Sequence, residues 1–133
     1  MKRSPIILII LCFFSIFFES SCTHEKLAVE CDTRQMSYQY NIQPILKNNC
    51  YSCHSRGNTA GSYGILLDSY VSLVLPGWVN PLHADKSILI GDITHRPPDS
   101  TYNYVPMPYM KHKLDTCSIN QIAAWINDGA FDN

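Results

Sequence analysis

The chain has 133 residues and a formal net charge of −1, which allows one domain and excludes the strongly basic balance of a dedicated nucleic-acid binder. The first 18 residues distort the composition, because Lys2 and Arg3 precede an apolar run, Ile6 to Phe18, that holds four of the five Phe residues. The remainder contains few aliphatic residues and all eight Tyr. Its core is therefore thin, and we expect a bulky cofactor, a disulfide or both to supplement it.

The N-terminal apolar run predicts export. It is shorter than the roughly 20 residues that a membrane-spanning helix needs, and a basic start followed by a short apolar run is typical of a secretory signal. We predict a lipoprotein-type signal peptide over residues 1–21. Cys22 follows two serines, where a bacterial lipoprotein is cleaved and acylated, which places the chain on the periplasmic side of a bacterial membrane with a lipid anchor. Glu19 stands where such signals usually carry an aliphatic residue, so cleavage without acylation is the alternative.

Two cysteines, Cys31 and Cys117, lie outside the N-terminal segment and outside the C-Y-S-C-H motif of residues 50–54. Because an even number of cysteines in an exported domain favours disulfides, we predict a bond between these two. The bond would close a loop of over 80 residues, and in the chain-entropy model such a loop adds about 4 kcal/mol to the free energy of unfolding. Two unpaired buried thiols are the alternative.

The motif that carries chemistry is C-Y-S-C-H, residues 50–54. Covalent haem attachment needs two thiols, here Cys50 and Cys53, to add to the two vinyl groups of the porphyrin. It also needs an imidazole, here His54, that reaches the iron from the same short segment. The sequence therefore predicts one covalent haem c, with His54 as the proximal iron ligand.

Two other chemistries use the same cysteine spacing. A thioredoxin-like redox pair would follow a strand, whereas the apolar spacing of Ile42, Ile45 and Leu46, with Pro44 suited to a first turn, predicts a helix before the motif. A structural zinc site would need two further ligands, and Cys31 and Cys117 lack the close pairing of zinc ribbons. Haem is the favoured cofactor, and zinc and redox chemistry remain open.

The sixth iron position has one favoured candidate. Met107 lies between Pro106 and Pro108, which stiffen an extended loop, and a thioether is a soft ligand that raises the reduction potential. The other candidates are Met36, Met110, His24, His83, His95 and His112.

The rest of the chain predicts short helices and no sheet. A last helix is predicted with Ser118 as its N-cap and Gln121 completing a capping box. A middle helix is predicted from Asp68, carrying Val71, Val74 and Leu75, and a shorter one around Ser87 to Ile90. Trp125 is interpreted as a core aromatic.

These motifs resemble monohaem class I cytochrome c domains, in particular small exported proteins of the Bacteroidota type. The matching segments are IQPIL before C-Y-S-C-H, then GILLD at residues 64–68, Met107-Pro108 with Lys113-Leu114, and IAAWINDGA at residues 122–130. The resemblance implies a mostly α, cytochrome c-like domain wrapped around one haem, attached at Cys50 and Cys53 and ligated by His54 and Met107. Cys31 and Cys117 also resemble a cysteine pair of some relatives.

The sequence thus leads to an expected organisation of signal peptide, short tether over residues 22–37 and cytochrome c domain over residues 38–133. With both axial positions filled the iron has no free site for a substrate, so we expect a one-electron carrier for redox partner proteins and not an enzyme. Two alternatives stay open. One is a haem sensor or ligand-binding module with an open sixth position, and the other is a non-haem lipoprotein stabilised by zinc or disulfides.

Overall fold

The computed structural model describes residues 30–58, 63–96 and 105–133. The predicted signal peptide, Cys22, His24 and the first part of the tether lie outside these residues. In chain order the described elements are a π-helical turn Tyr38–Ile42, helix α1 Gln43–Asn49, helix α2 Tyr70–Val74, a 3₁₀ turn Ala84–Lys86, helix α3 Ile88–Thr94 and helix α4 Thr116–Asn127. These elements include no strand, which confirms the predicted mostly α class at this coarse level.

The predicted first helix is present, but it is extended at its N-terminus by the π-helical turn. The Ser37 hydroxyl accepts a hydrogen bond from the backbone N–H of Tyr40 and so caps this turn. Pro44 occupies the first turn of α1, where its missing N–H costs nothing. Ile42 and Leu46, four residues apart, are both buried, and this apolar stripe fixes which face of α1 meets the core.

The N-cap of helix α4 lies three residues earlier than predicted. Asp115 is the N-cap, and its carboxylate accepts from the backbone N–H and the hydroxyl of Ser118. The predicted roles of Ser118 and Gln121 are therefore wrong, because the charged carboxylate of Asp115 caps an earlier start and leaves Ser118 inside the helix. The Gln121 side chain instead donates to the backbone carbonyl of Asp32.

The middle helices differ from prediction in their bounds. Ser69, not Asp68, caps α2 by accepting from the backbone N–H of Ser72. Leu73 is fully buried, whereas Val71 and Leu75, which were predicted to be carried by this helix, are 59% and 79% exposed. The helix predicted around Ser87 extends further, as α3.

Three aromatic rings form the centre of the core. The ring of Trp125 lies 5.7 Å from that of Tyr38 and 6.5 Å from that of Tyr70, and the two tyrosine rings meet edge to face at 5.4 Å. The Trp125 indole N–H donates to the carbonyl of Phe131, so burial leaves no unpaired donor. The prediction of Trp125 as a core residue is consistent with its 1% exposure.

The segment before the π-helical turn is attached to α4. The Sγ atoms of Cys31 and Cys117 lie 2.07 Å apart, at disulfide-bonding distance, with Cα atoms 5.4 Å apart. Met36 is buried in the core. Residues 31–37, the last part of the predicted tether, therefore pack on the domain. The described residues include no helix with both the length and the apolar character needed to cross a bilayer.

Candidate functional site

The C-Y-S-C-H segment forms a turn that continues from α1. The Cys50 N–H donates to the carbonyl of Leu46 at 2.7 Å, and the N–H groups of Cys53 and His54 both donate to the carbonyl of Cys50, at 3.1 and 2.8 Å. Tightening the chain in this way brings both thiols and the imidazole to one short arc. Cys50 and Cys53 are free thiols, the first half-buried and the second exposed.

The His54 ring is buried and fixed from one side. The ring Nδ1 lies 3.0 Å from the backbone carbonyl of Ile65. The backbone carbonyl of His54 accepts a hydrogen bond from the Leu67 N–H at 2.8 Å. A carbonyl only accepts, so Nδ1 carries the proton and Nε2 presents a lone pair. The preceding Gly64 has φ of +80°, a conformation that favours glycine, at the turn that leads into Ile65. The contact between Nδ1 of His54 and the Ile65 carbonyl is typical of a metal-ligating histidine that a backbone carbonyl orients.

A small cavity lies beside the imidazole. Its volume is about 40 Å³, and its lining residues are His54, Ile65, Leu67, Trp78, Leu89, Asp92 and Met107. Most of these side chains are apolar, and the exceptions are His54 and Asp92. The cavity therefore joins His54 and Met107, which are 53 positions apart in the sequence and were predicted to act on the same iron.

The lining residues fall into two hydrogen-bonded units. The first unit is His54, Ile65 and Leu67, which are joined by the two bonds described above. In the second unit, the Leu89 N–H donates to the Trp78 carbonyl at 3.0 Å and the Met107 N–H donates to the Asp92 carbonyl at 3.0 Å. Among these seven described residues, no hydrogen bond joins the first unit to the second. The lining side chains that face each other across the cavity are mostly apolar.

Asp92 is the polar group that sequence reasoning missed. Burial raises its pKa to about 6, although the backbone N–H of Val105 opposes this by donating to it, and its Oδ1 is buried without a partner. The available signal was its position, because Asp92 follows Leu89 by three residues and therefore shares the apolar face of α3.

The other candidates for the sixth ligand lie elsewhere among the described residues. Met110 is 89% exposed, Met36 is buried in the core, and neither lines the cavity. His83 and His112 are exposed. The His95 ring lies against Met107, with Nε2 3.1 Å from the Met107 carbonyl. Met107 is thus the candidate that shares a cavity with His54.

The geometry also bears on the two other chemistries of the cysteine pair. A thioredoxin-like pair needs a thiol whose pKa is lowered, whereas burial, reinforced by the neighbouring Cys53, raises the pKa of the Cys50 thiol to about 11. A four-cysteine zinc site would need Cys31 and Cys117, which are joined to each other. No group of three or more possible metal-ligating His, Cys, Asp or Glu residues occurs within the described ranges.

The residues present fit a covalently held haem in their chemistry. They supply two free thiols, an imidazole with an available Nε2, a thioether in the same cavity and largely apolar walls. The cavity itself has room for a few water molecules and not for a porphyrin. Admission of such a group requires the two hydrogen-bonded units to separate, and among the seven described lining residues no hydrogen bond between the units has to break.

Comparison with protein-family models, with curated proteins and with solved structures finds no match to this chain. The case for the site therefore rests on its own residues.

Proposed function

We propose that this chain is a one-electron carrier that holds a single covalent haem c, with Cys50 and Cys53 as the attachment points and His54 and Met107 as the axial ligands. The observation that carries the proposal is the cavity shared by His54 and Met107, with the two free thiols in the same turn of chain as His54. A haem bound there would supply the Fe(III)/Fe(II) couple.

The protein's own part is to fix the two ligands. The Ile65 carbonyl sets the tautomer and orientation of His54 and increases the basicity of Nε2. Met107 offers a soft sulfur that favours the reduced metal and raises its potential. The apolar lining from Ile65, Leu67 and Leu89 would exclude water, which favours the less charged reduced state.

The choice of carrier over sensor or enzyme follows from Met107. A sulfur ligand in the same cavity as His54 would leave no open position for a substrate or a diatomic ligand. We therefore propose that the partners are other redox proteins and that the chain is not an enzyme.

The proposal is tested on protein exported from a host that has the c-type maturation machinery. We expect an intact mass higher by one haem after denaturation, a one-electron potentiometric titration, and a ferrous form that does not bind carbon monoxide readily. A high-spin ferrous form that binds carbon monoxide would favour the sensor, and a colourless chain would favour the non-haem lipoprotein.

Export and lipid attachment form the second part of the proposal. Haem attachment of this type takes place outside the cytoplasm, and the sequence of residues 1–22 is that of a lipoprotein signal with Cys22 as the acylated residue. The chain would then act on the periplasmic side of a bacterial membrane. We expect Cys22→Ser to move the protein from the membrane fraction to the aqueous fraction with its haem retained, whereas equal partition of both proteins would contradict the anchor.

A further inference from the structure

We infer that His95 is a positioning residue that holds Met107 in place as the sixth ligand, an inference that rests on the proposed function. The His95 Nε2 lies 3.1 Å from the backbone carbonyl of Met107. Because a carbonyl only accepts, Nε2 carries the proton and donates. Sequence reasoning had treated this histidine as a competitor for the iron, whereas the structure gives it a contact with the favoured ligand.

The Met107 backbone is held at both of its polar groups by the end of α3. Its N–H donates to the Asp92 carbonyl at 3.0 Å, and its carbonyl accepts from His95. The first contact is between backbone groups and survives substitution. The hydrogen bond to the Met107 carbonyl depends on the His95 side chain, so a substitution of His95 can remove it.

His95 is itself anchored to a buried helix. It is the C-cap of α3 with φ of +59°, and its N–H donates to the Asp92 carbonyl at 3.2 Å. The next N–H, that of Arg96, donates to the Gly91 carbonyl at 2.9 Å. Leu89 and Ile93 of the same helix are buried in the core. The hydrogen bond from the His95 imidazole thus fixes the backbone of Met107 relative to the packed helix α3.

The expected effect concerns the occupancy of the sixth position, not the fold. An external ligand such as imidazole must displace the Met107 sulfur, and the displaced state gives up whatever interactions hold Met107 near the iron. A neutral hydrogen bond has a net worth corresponding to about a twofold to tenfold change in an equilibrium constant. Loss of the His95 contact should therefore tighten imidazole binding to the ferric protein by about that factor.

Two variants separate positioning from general stability. His95→Gln keeps an N–H donor, and His95→Leu has none. Both place a non-glycine side chain at the same positive φ, so their backbone strain is similar. His112→Leu, at an exposed histidine five positions after Met107 in the sequence, is the control for loss of an imidazole.

The experiment titrates the ferric holoprotein with imidazole and follows the methionine-to-iron charge-transfer band. We expect His95→Leu to bind imidazole about twofold to tenfold more tightly than the unmodified protein. His95→Gln and His112→Leu should bind imidazole with about the affinity of the unmodified protein. Equal affinities for all four proteins, each with the band intact, would overturn the role of His95 and leave the proposed function standing. Absence of haem or of the band from the unmodified protein would instead overturn both.

Discussion

The two hydrogen-bonded units that line the cavity present their ligands in different ways. The first unit follows directly on the two thiols, because Cys50, Cys53 and His54 lie within one turn, residues 50–54, and the supporting carbonyl of Ile65 lies 11 positions after His54. In the second, Met107 depends on contacts with Asp92 and His95 at the end of α3. The first ligand thus lies in the same turn as the thiols, whereas the second reaches the cavity from a segment 53 positions further along the chain. We conclude that the two ligands should respond differently to mutation.

The largest expected effect is at the two cysteines of the turn that carries His54. Replacement of both Cys50 and Cys53 by Ser removes the thiols that form the thioether bonds, so we expect complete loss of covalent haem. Mass spectrometry of the denatured chain measures this directly. Ser52→Ala, an exposed position in the same turn, is the matched control and should retain the haem. A doubly substituted chain that still carried covalent haem would contradict the assignment.

Substitution in the second unit should change the reduction potential of the haem and not its covalent attachment. Met107→Ala removes the thioether, and we expect a lower reduction potential, within the roughly 0.8 V range that axial ligands span, and an iron open to added ligands. Met110→Ala is the control, because its side chain is 89% exposed. Potentiometric titration of both variants decides the matter. An unchanged potential in Met107→Ala, or a lowered one in Met110→Ala, would refute Met107 as the ligand.

The disulfide should affect stability without affecting either ligand. Neither Cys31 nor Cys117 lines the cavity, and the bond spans 86 positions. Replacement of both by Ser should lower the free energy of unfolding by about 4 kcal/mol, through a less constrained unfolded chain. Guanidinium denaturation measures the loss, and the methionine-to-iron band of the folded fraction should stay. Disappearance of that band under native conditions would show that the bond also supports the second unit.

The smallest expected effect is at the start of α4, which packs on the π-helical turn ahead of the first unit. The Ser118 hydroxyl and N–H hold the pKa of Asp115 below its ordinary value. A lowered pKa means that the ionised cap stabilises the fold above about pH 4 and that this contribution is lost as the pH falls through the folded-state pKa. Asp115→Ala should cost about 1 kcal/mol at pH 7 and less in acid.

The control for this last prediction is Asp115→Asn, which keeps a capping oxygen and does not titrate. Its stability at pH 7 should be close to that of the unmodified protein. Denaturation curves at pH 7 and at about pH 3 test the sign. A cost of Asp115→Ala that grew in acid would contradict the role of the ionised carboxylate.

The sequence predicted the parts whose chemistry is local. The C-Y-S-C-H residues lie in one turn, and Pro44 lies in the first turn of α1, as the pattern indicated. The cap of α4 was misassigned because Ser118 and Asp115 are both good N-cap residues, and their ranking depends on where the chain enters the helix.

The features that the sequence did not show depend on tertiary contacts. Apolar spacing correctly assigned Val71 and Val74 to one helix, with Leu75 at its C-cap, but it could not show that Leu73 is the residue that enters the core. Nor could spacing show that Asp92 shares the cavity with Met107, since that depends on how α3 packs. Exposure of Met110 likewise appears only in the fold.

The most direct test of the central claim is the visible absorption spectrum, oxidised and reduced, of protein exported from a host with c-type maturation, run beside a denaturing gel stained for haem. We predict haem that stays with the denatured chain, low-spin bands in both states and a methionine-to-iron charge-transfer band in the oxidised state. A colourless protein would contradict the account, and attached haem with a high-spin ferrous spectrum would contradict the assignment of Met107.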